Sequence, residues 1–101
     1  MVDFRLTKSH VLKWASDRSL LKKENSLKQL SKMQEETVEV LQELIDDNTE
    51  SLELEIGDVI VTATILAEQN GLDVEECFNK AYQKIKNRTG KTVGGQFVKD
   101  N

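Results

Sequence analysis

The sequence predicts an all-α fold, a compact four-helix bundle, and three observations point there. The 101 residues include no proline, and glycine first appears at Gly57, so nothing interrupts a helix in the first half of the chain. Leu27, Leu30, Met33, Thr37, Val40, Leu41 and Leu44 recur at spacings of three and four, the repeat of a single helical face. Asn70 and Gly71, followed by Asp73 and Glu76, read as a left-handed helix stop and then a capping box that starts the next helix.

The first helix is expected over about 4–18, with Val11, Leu12, Trp14 and Ala15 on its apolar side. After the polar stretch from Lys22 to Asn25, Asn25 or Ser26 can cap a second helix over 26–45. The segment from Asp46 to Ser51 is rich in capping residues, so the chain turns there and a third helix covers 51–69. A fourth helix, 73–88, carries the stripe Val74, Phe78, Ala81 and Ile85. In the tail, 91–101, two short runs flank Gly94 and Gly95, which fits either a small hairpin or a frayed end. No internal repeat or low-complexity segment is present, so the chain reads as one domain.

With 38% hydrophobic and 32% charged residues, the domain has a modest core or shares one with a second copy. The net charge of −4, from 18 acids against 14 bases, provides no basic field for a phosphate backbone, so no nucleic-acid partner is expected. The single cysteine, Cys77, cannot form an internal disulfide. No charged-then-apolar leader opens the sequence, and the expected compartment is a reducing cytoplasm. That makes the sequon-like run Asn87, Arg88, Thr89 a chance occurrence. No apolar run approaches the roughly 20 residues that cross a bilayer, so no membrane association is expected.

The carboxylates carry the functional signal. On the second helix Glu36, Glu39, Glu43 and Asp46 share one stripe beside the apolar one, which alone describes a solvated face. The third helix is different: from Leu54 to Ala67 it is apolar or small all round except for Glu55 and Asp58. Such a helix is normally buried, and acids three residues apart project from one face, so both carboxylates are expected to point into protein. An ionised carboxylate there needs a cation or a proton. Lys28, Lys32, Lys84 and Arg88 are available for ion pairs, but carboxylates converging from two helices suit a hard divalent cation better. The only histidine, His10, lies at no di-iron spacing, and zinc prefers His and Cys ligands. Oxygen-only ligands leave Mg²⁺ or Mn²⁺, with Ca²⁺ disfavoured because no EF-hand loop is present.

Glu35, Glu36, Thr37, Val38 and Glu39 spell E-E-x-x-E, and Glu55, Ile56, Gly57 and Asp58 spell E-x-x-D about one hairpin later. Together with Leu27 to Gln29, Lys32 and the closing run K-I-K-N-R-T-G-K-T from Lys84 to Thr92, these residues resemble the short single-domain MazG-like nucleoside triphosphate pyrophosphohydrolases. The resemblance spans roughly Trp14 to Val98. It implies an all-α, four-helix MazG-like bundle assembled as a dimer or a dimer of dimers. It also implies Mg²⁺ held by Glu36, Glu39, Glu55 and Asp58, with Glu35 placed to orient or deprotonate the attacking water. The implied substrate is a nucleoside triphosphate, cleaved to the monophosphate and pyrophosphate.

Lys28 and Lys32 lie on the stripe of Glu36 and Glu39, where they can meet phosphates; Lys32 can equally form an i to i+4 ion pair with Glu36. Lys80, Lys84, Asn87 and Arg88 share the polar face of the fourth helix and Lys91 follows; the resemblance makes Lys84, Asn87, Arg88 and Lys91 phosphate contacts instead of a solvated face. Trp14 is either a core residue or a platform for a base. His10 and Cys77 have no partners at catalytic spacing, and Phe78 and Tyr82 read as core or interface. Two rival readings remain: a non-enzymatic helical dimerisation or adaptor module, and a Mg²⁺ hydrolase of another phosphorylated metabolite.

Overall fold

The computed structural model describes residues 1–100: four helices, α1 (Phe4–Asp17), α2 (Ser26–Ile45), α3 (Thr49–Gln69) and α4 (Val74–Ile85), then an antiparallel hairpin of β1 (Gly90–Val93) and β2 (Gln96–Lys99). The expected order of elements is borne out, with shifted edges. Asn48 Oδ1 accepts from the Ser51 N–H at 3.2 Å, so α3 starts at Thr49 instead of 51. Neither Asn25 nor Ser26 caps α2 through its side chain. A 3₁₀ turn, Lys23–Asn25, leads into that helix, and the Ser26 hydroxyl donates back to Lys23 O at 2.7 Å. The Asp73 carboxylate does cap α4, accepting from Glu75 N–H at 3.0 Å. That helix closes at Ile85, short of 88, because the Arg88 N–H turns back to Ile85 O at 3.0 Å and the chain then enters β1. Asn87 and Arg88 therefore lie in the connection after α4 and not on its face.

Three helices end in the same six-residue lock, with a residue in the left-handed region. Gly71 (φ 71°) ends α3, with the Leu72 N–H on Ala67 O at 2.9 Å, as the sequence leads one to expect. Ser19 (φ 58°) and Asp47 (φ 53°) take the same position after α1 and α2 without being glycine.

The centre of the fold is the antiparallel α2–α3 pair, where Gln29 Nε2 donates to Thr62 O at 3.2 Å. Along the other side of α3 lies α1, fastened at its end by the buried Gln69, whose Nε2 donates to Leu20 O at 2.8 Å. The last helix folds back against α3 and the start of α1, where Lys8 Nζ lies 3.0 Å from both Asp73 and Glu75.

The core is thin. Among the described residues only Ala15, Ile65 and Ala67 are buried and apolar, joined by Thr62 and Thr64, whose hydroxyls donate to carbonyls of their own helix. The C-terminal half of α3 is enclosed as expected, but Leu54, Ile56 and Ile60 in its N-terminal half are exposed. Three neighbouring helices cannot cover a fourth that is apolar on every side, so the expected all-round burial of α3 is corrected to its second half. Phe78 and Tyr82 are likewise outside the core.

In the hairpin Gly90 pairs with Lys99 and Thr92 with Phe97. The Phe97 ring folds diagonally over Gly90, where a Cβ would come 2.6 Å from the ring tip and would collide with Val98 O. The residue must be glycine for the strand and ring to lie so close.

Candidate metal centre

Glu36 and Glu39 lie one turn apart on α2, and Glu55 faces them from the antiparallel α3. One carboxylate oxygen from each falls within 4.8 Å of the other two. Burial grades across the cluster: Glu36 is buried, Glu55 half-buried and Glu39 exposed, so it opens to solvent on one side. Glu55 Oε2 is buried with no hydrogen-bond partner among the described residues. The Glu39 carboxylate beside it is the chief reason the Glu55 carboxyl is pushed up to about 7 from 4.5. Desolvation and the neighbouring Glu36 add to this, and the negative charge of Asp58 contributes less. A divalent cation would relieve both the orphaned oxygen and the crowded charge, and an all-carboxylate donor set suits a hard ion such as Mg²⁺.

Asp58 stands outside this group of three. It is half-buried and lines the neighbouring cleft of about 660 Å³ between α1 and α3, while its charge still reaches Glu55. Thr7, Lys8 and Val11 of α1 face Gly57, Asp58 and Val61 of α3 across that cleft. Glu35 also lies outside the cluster, exposed, 3.4 Å from Lys32 Nζ. The Lys32 ammonium also reaches Glu36 at 3.5 Å, the i to i+4 contact of the ion-pair reading, and the neighbouring acids hold its pKa above the usual lysine value.

Lys28 is exposed and forms no ion pair among the described residues, and the same is true of Lys84, Arg88 and Lys91. Asn87 sits between α4 and β1, also exposed. Trp14 lines neither the α1/α3 cleft nor the smaller one formed by Phe4, Glu75, Phe78, Asn79 and Tyr82. The Arg18 guanidinium covers one face of its ring at 4.4 Å from the centroid, and 47% of the residue remains exposed.

A family model, the MazG nucleotide pyrophosphohydrolase domain, matches residues 24–93, which takes in both acidic motifs and β1. The chain belongs to the MazG nucleotide pyrophosphohydrolase domain family. This MazG domain has no match among curated proteins or solved structures. Its family implies a hydrolase acting on nucleoside triphosphates, and no helix among its described residues is long and apolar enough to cross a membrane.

Lys8 was not marked by sequence reasoning. Its signal is position: Phe4, Lys8, Val11 and Ala15 fall at spacings of four, three and four, which sets a lysine in the apolar stripe of α1. Only 15% of its side chain is exposed, and the Asp73 and Glu75 carboxylates raise its pKa.

Proposed function

We propose that this MazG domain is a Mg²⁺-dependent nucleoside triphosphate pyrophosphohydrolase, converting an NTP or dNTP and water to the monophosphate and pyrophosphate. The observation that carries the reading is the convergence of Glu36, Glu39 and Glu55 around a buried oxygen with no partner, within a chain of this family. These three carboxylates, with Asp58 from the adjoining wall, would hold the ion. When bound, Mg²⁺ supplies charge neutralisation for the triphosphate and acidifies water at neutral pH.

The chain's own residues account for the rest. Glu35, one residue before the first ligand and free of the cluster, orients the attacking water and accepts its proton. Lys28 and Lys32 extend from the same helix toward the phosphates, Lys32 exchanging its contacts to Glu35 and Glu36 for substrate oxygens. Lys84, Asn87, Arg88 and Lys91 bind the departing pyrophosphate, whose charge they match. The uncovered face of Trp14 is a platform for the base. Self-association as a dimer or tetramer would cover apolar residues such as Phe78 and Leu27, which are 73% and 82% exposed. A cytoplasmic location fits the lone free cysteine.

The test is pyrophosphate release with Mg²⁺ across a panel of canonical and modified triphosphates. The expected result is turnover that requires Mg²⁺ and falls by about 10²-fold or more in Glu55→Gln. No turnover of any triphosphate would sink the reading.

A further inference from the structure

An isolated two-stranded hairpin is marginal in water. Yet β1 and β2 are fully paired, every strand residue is exposed, and among the described residues no hydrogen bond or ion pair joins the hairpin to a helix of the bundle. One face presents Val93 and Val98 beside Lys91, the other Phe97 beside Thr92 and Lys99, the three apolar residues each about half exposed, with Lys86 and Arg88 at the hairpin's entry.

The complementary surface lies elsewhere on the same molecule. The α1/α3 cleft has apolar walls that include Phe4, Leu54 and Ile60, and the carboxylates of Glu50, Glu53 and Asp58 line it. Its one cation, Lys8, is already paired to Asp73 and Glu75. Gly57 lies along the same cleft, in mid-helix, where glycine weakens the helix; a Cβ there would meet nothing within 4 Å in its own chain. Glycine at such a place leaves room for a backbone arriving from outside.

We propose that the C-terminal hairpin of one copy docks in the α1/α3 cleft of a second copy through its Val93 and Val98 face, with Lys91 toward the acidic groups, and that it brings Arg88 and Lys91 to the edge of that copy's carboxylate cluster. Exchange in both directions gives a closed twofold pair in which each site is finished by its partner's tail. Asp58, which lines the cleft and also acts on Glu55, is the point where the two sites meet. The delivery of Arg88 and Lys91 rests on the pyrophosphohydrolase reading; the docking does not.

Cysteine trapping in a Cys77→Ser background tests the docking without metal or nucleotide. A Glu53→Cys chain mixed with an isotope-labelled Val98→Cys chain is expected to give a mixed disulfide on mild oxidation, well above an Asp17→Cys and Val98→Cys control. A yield no higher than the control overturns the proposal, as does a double-cysteine chain that closes its disulfide at monomer mass. Delivery is tested by mixing Glu36→Gln with an Arg88→Ala/Lys91→Ala chain, each confirmed helical. In freely exchanging pairs, half are mixed and hold one intact site, so about a quarter of the wild-type rate returns. A mixture no faster than the sum of its parts shows action within one chain and overturns delivery. A wild type without turnover refutes the enzymatic reading and delivery with it, and the trapping result alone then decides the docking.

Discussion

Lys8 and Asp73, 65 residues apart in sequence, meet at 3.0 Å and fasten the start of α1 to the start of α4. Asp73 already caps α4, so one carboxylate serves both the helix end and the lysine, which together hold its pKa below the usual aspartate value. Because α4 buries no residue fully, this junction carries much of its attachment. Lys8→Met is expected to raise amide exchange across Val74–Ile85 while α2 and α3 stay protected, as read by hydrogen exchange with mass spectrometry. Lys13→Met, which breaks an exposed pair with Asp17, should leave exchange unchanged.

The Glu55 carboxyl gives the metal-free domain a pH signature. Its folded pKa, about 7, lies above its ordinary 4.5, so between these values the native state holds a proton that the unfolded chain has released. Stability contributed by this group is therefore full below about pH 4.5, falls as pH rises toward 7, and is flat above. Melting temperatures measured with and without Mg²⁺ should diverge as pH rises through this window, since the ion replaces the proton. In Glu55→Gln both the decline and the divergence should shrink; an unchanged Mg²⁺ response would place the ion elsewhere.

The two non-glycine helix stops are open to improvement. Ser19→Gly should stabilise the domain by up to about 1 kcal/mol, because a Cβ in the left-handed region is strained. Asp47→Gly should gain less, since aspartate tolerates that region better. Urea midpoints of the two variants check the order.

Gly90 and Gly57 should answer oppositely to alanine. At Gly90 the added methyl collides with Val98 O and the Phe97 ring, so Gly90→Ala should dissolve the hairpin, seen as loss of cross-strand NMR contacts between Thr92 and Phe97. At Gly57 the chain itself has room, so in the undocked monomer Gly57→Ala should raise helix stability by about 0.5–1 kcal/mol, a gain that a docked partner hairpin would oppose. A melting temperature that falls instead would mean the position is already crowded in solution.

Much of this protein follows from local order in the sequence. A proline-free chain with apolar spacings of three and four dictates helices, and Gly71 with Asp73 places the α3–α4 turn, because backbone dihedrals and caps depend on a few neighbouring residues. The E-x-x-E and E-x-x-D spacings put acids on single helical faces for the same reason, and the family match covers both of them. Tertiary structure decided what these faces meet. The antiparallel register of α2 against α3 gathers Glu36, Glu39 and Glu55 and leaves Asp58 on the next wall, a difference of one helical turn that no periodicity encodes. It also decided that α3 is covered over only half its length and that Lys8 is enclosed, because burial depends on which neighbours arrive and not on the helix itself. The carboxylates were legible as a set; their unequal burial, and the raised pKa of Glu55 that follows from it, belong to the packing.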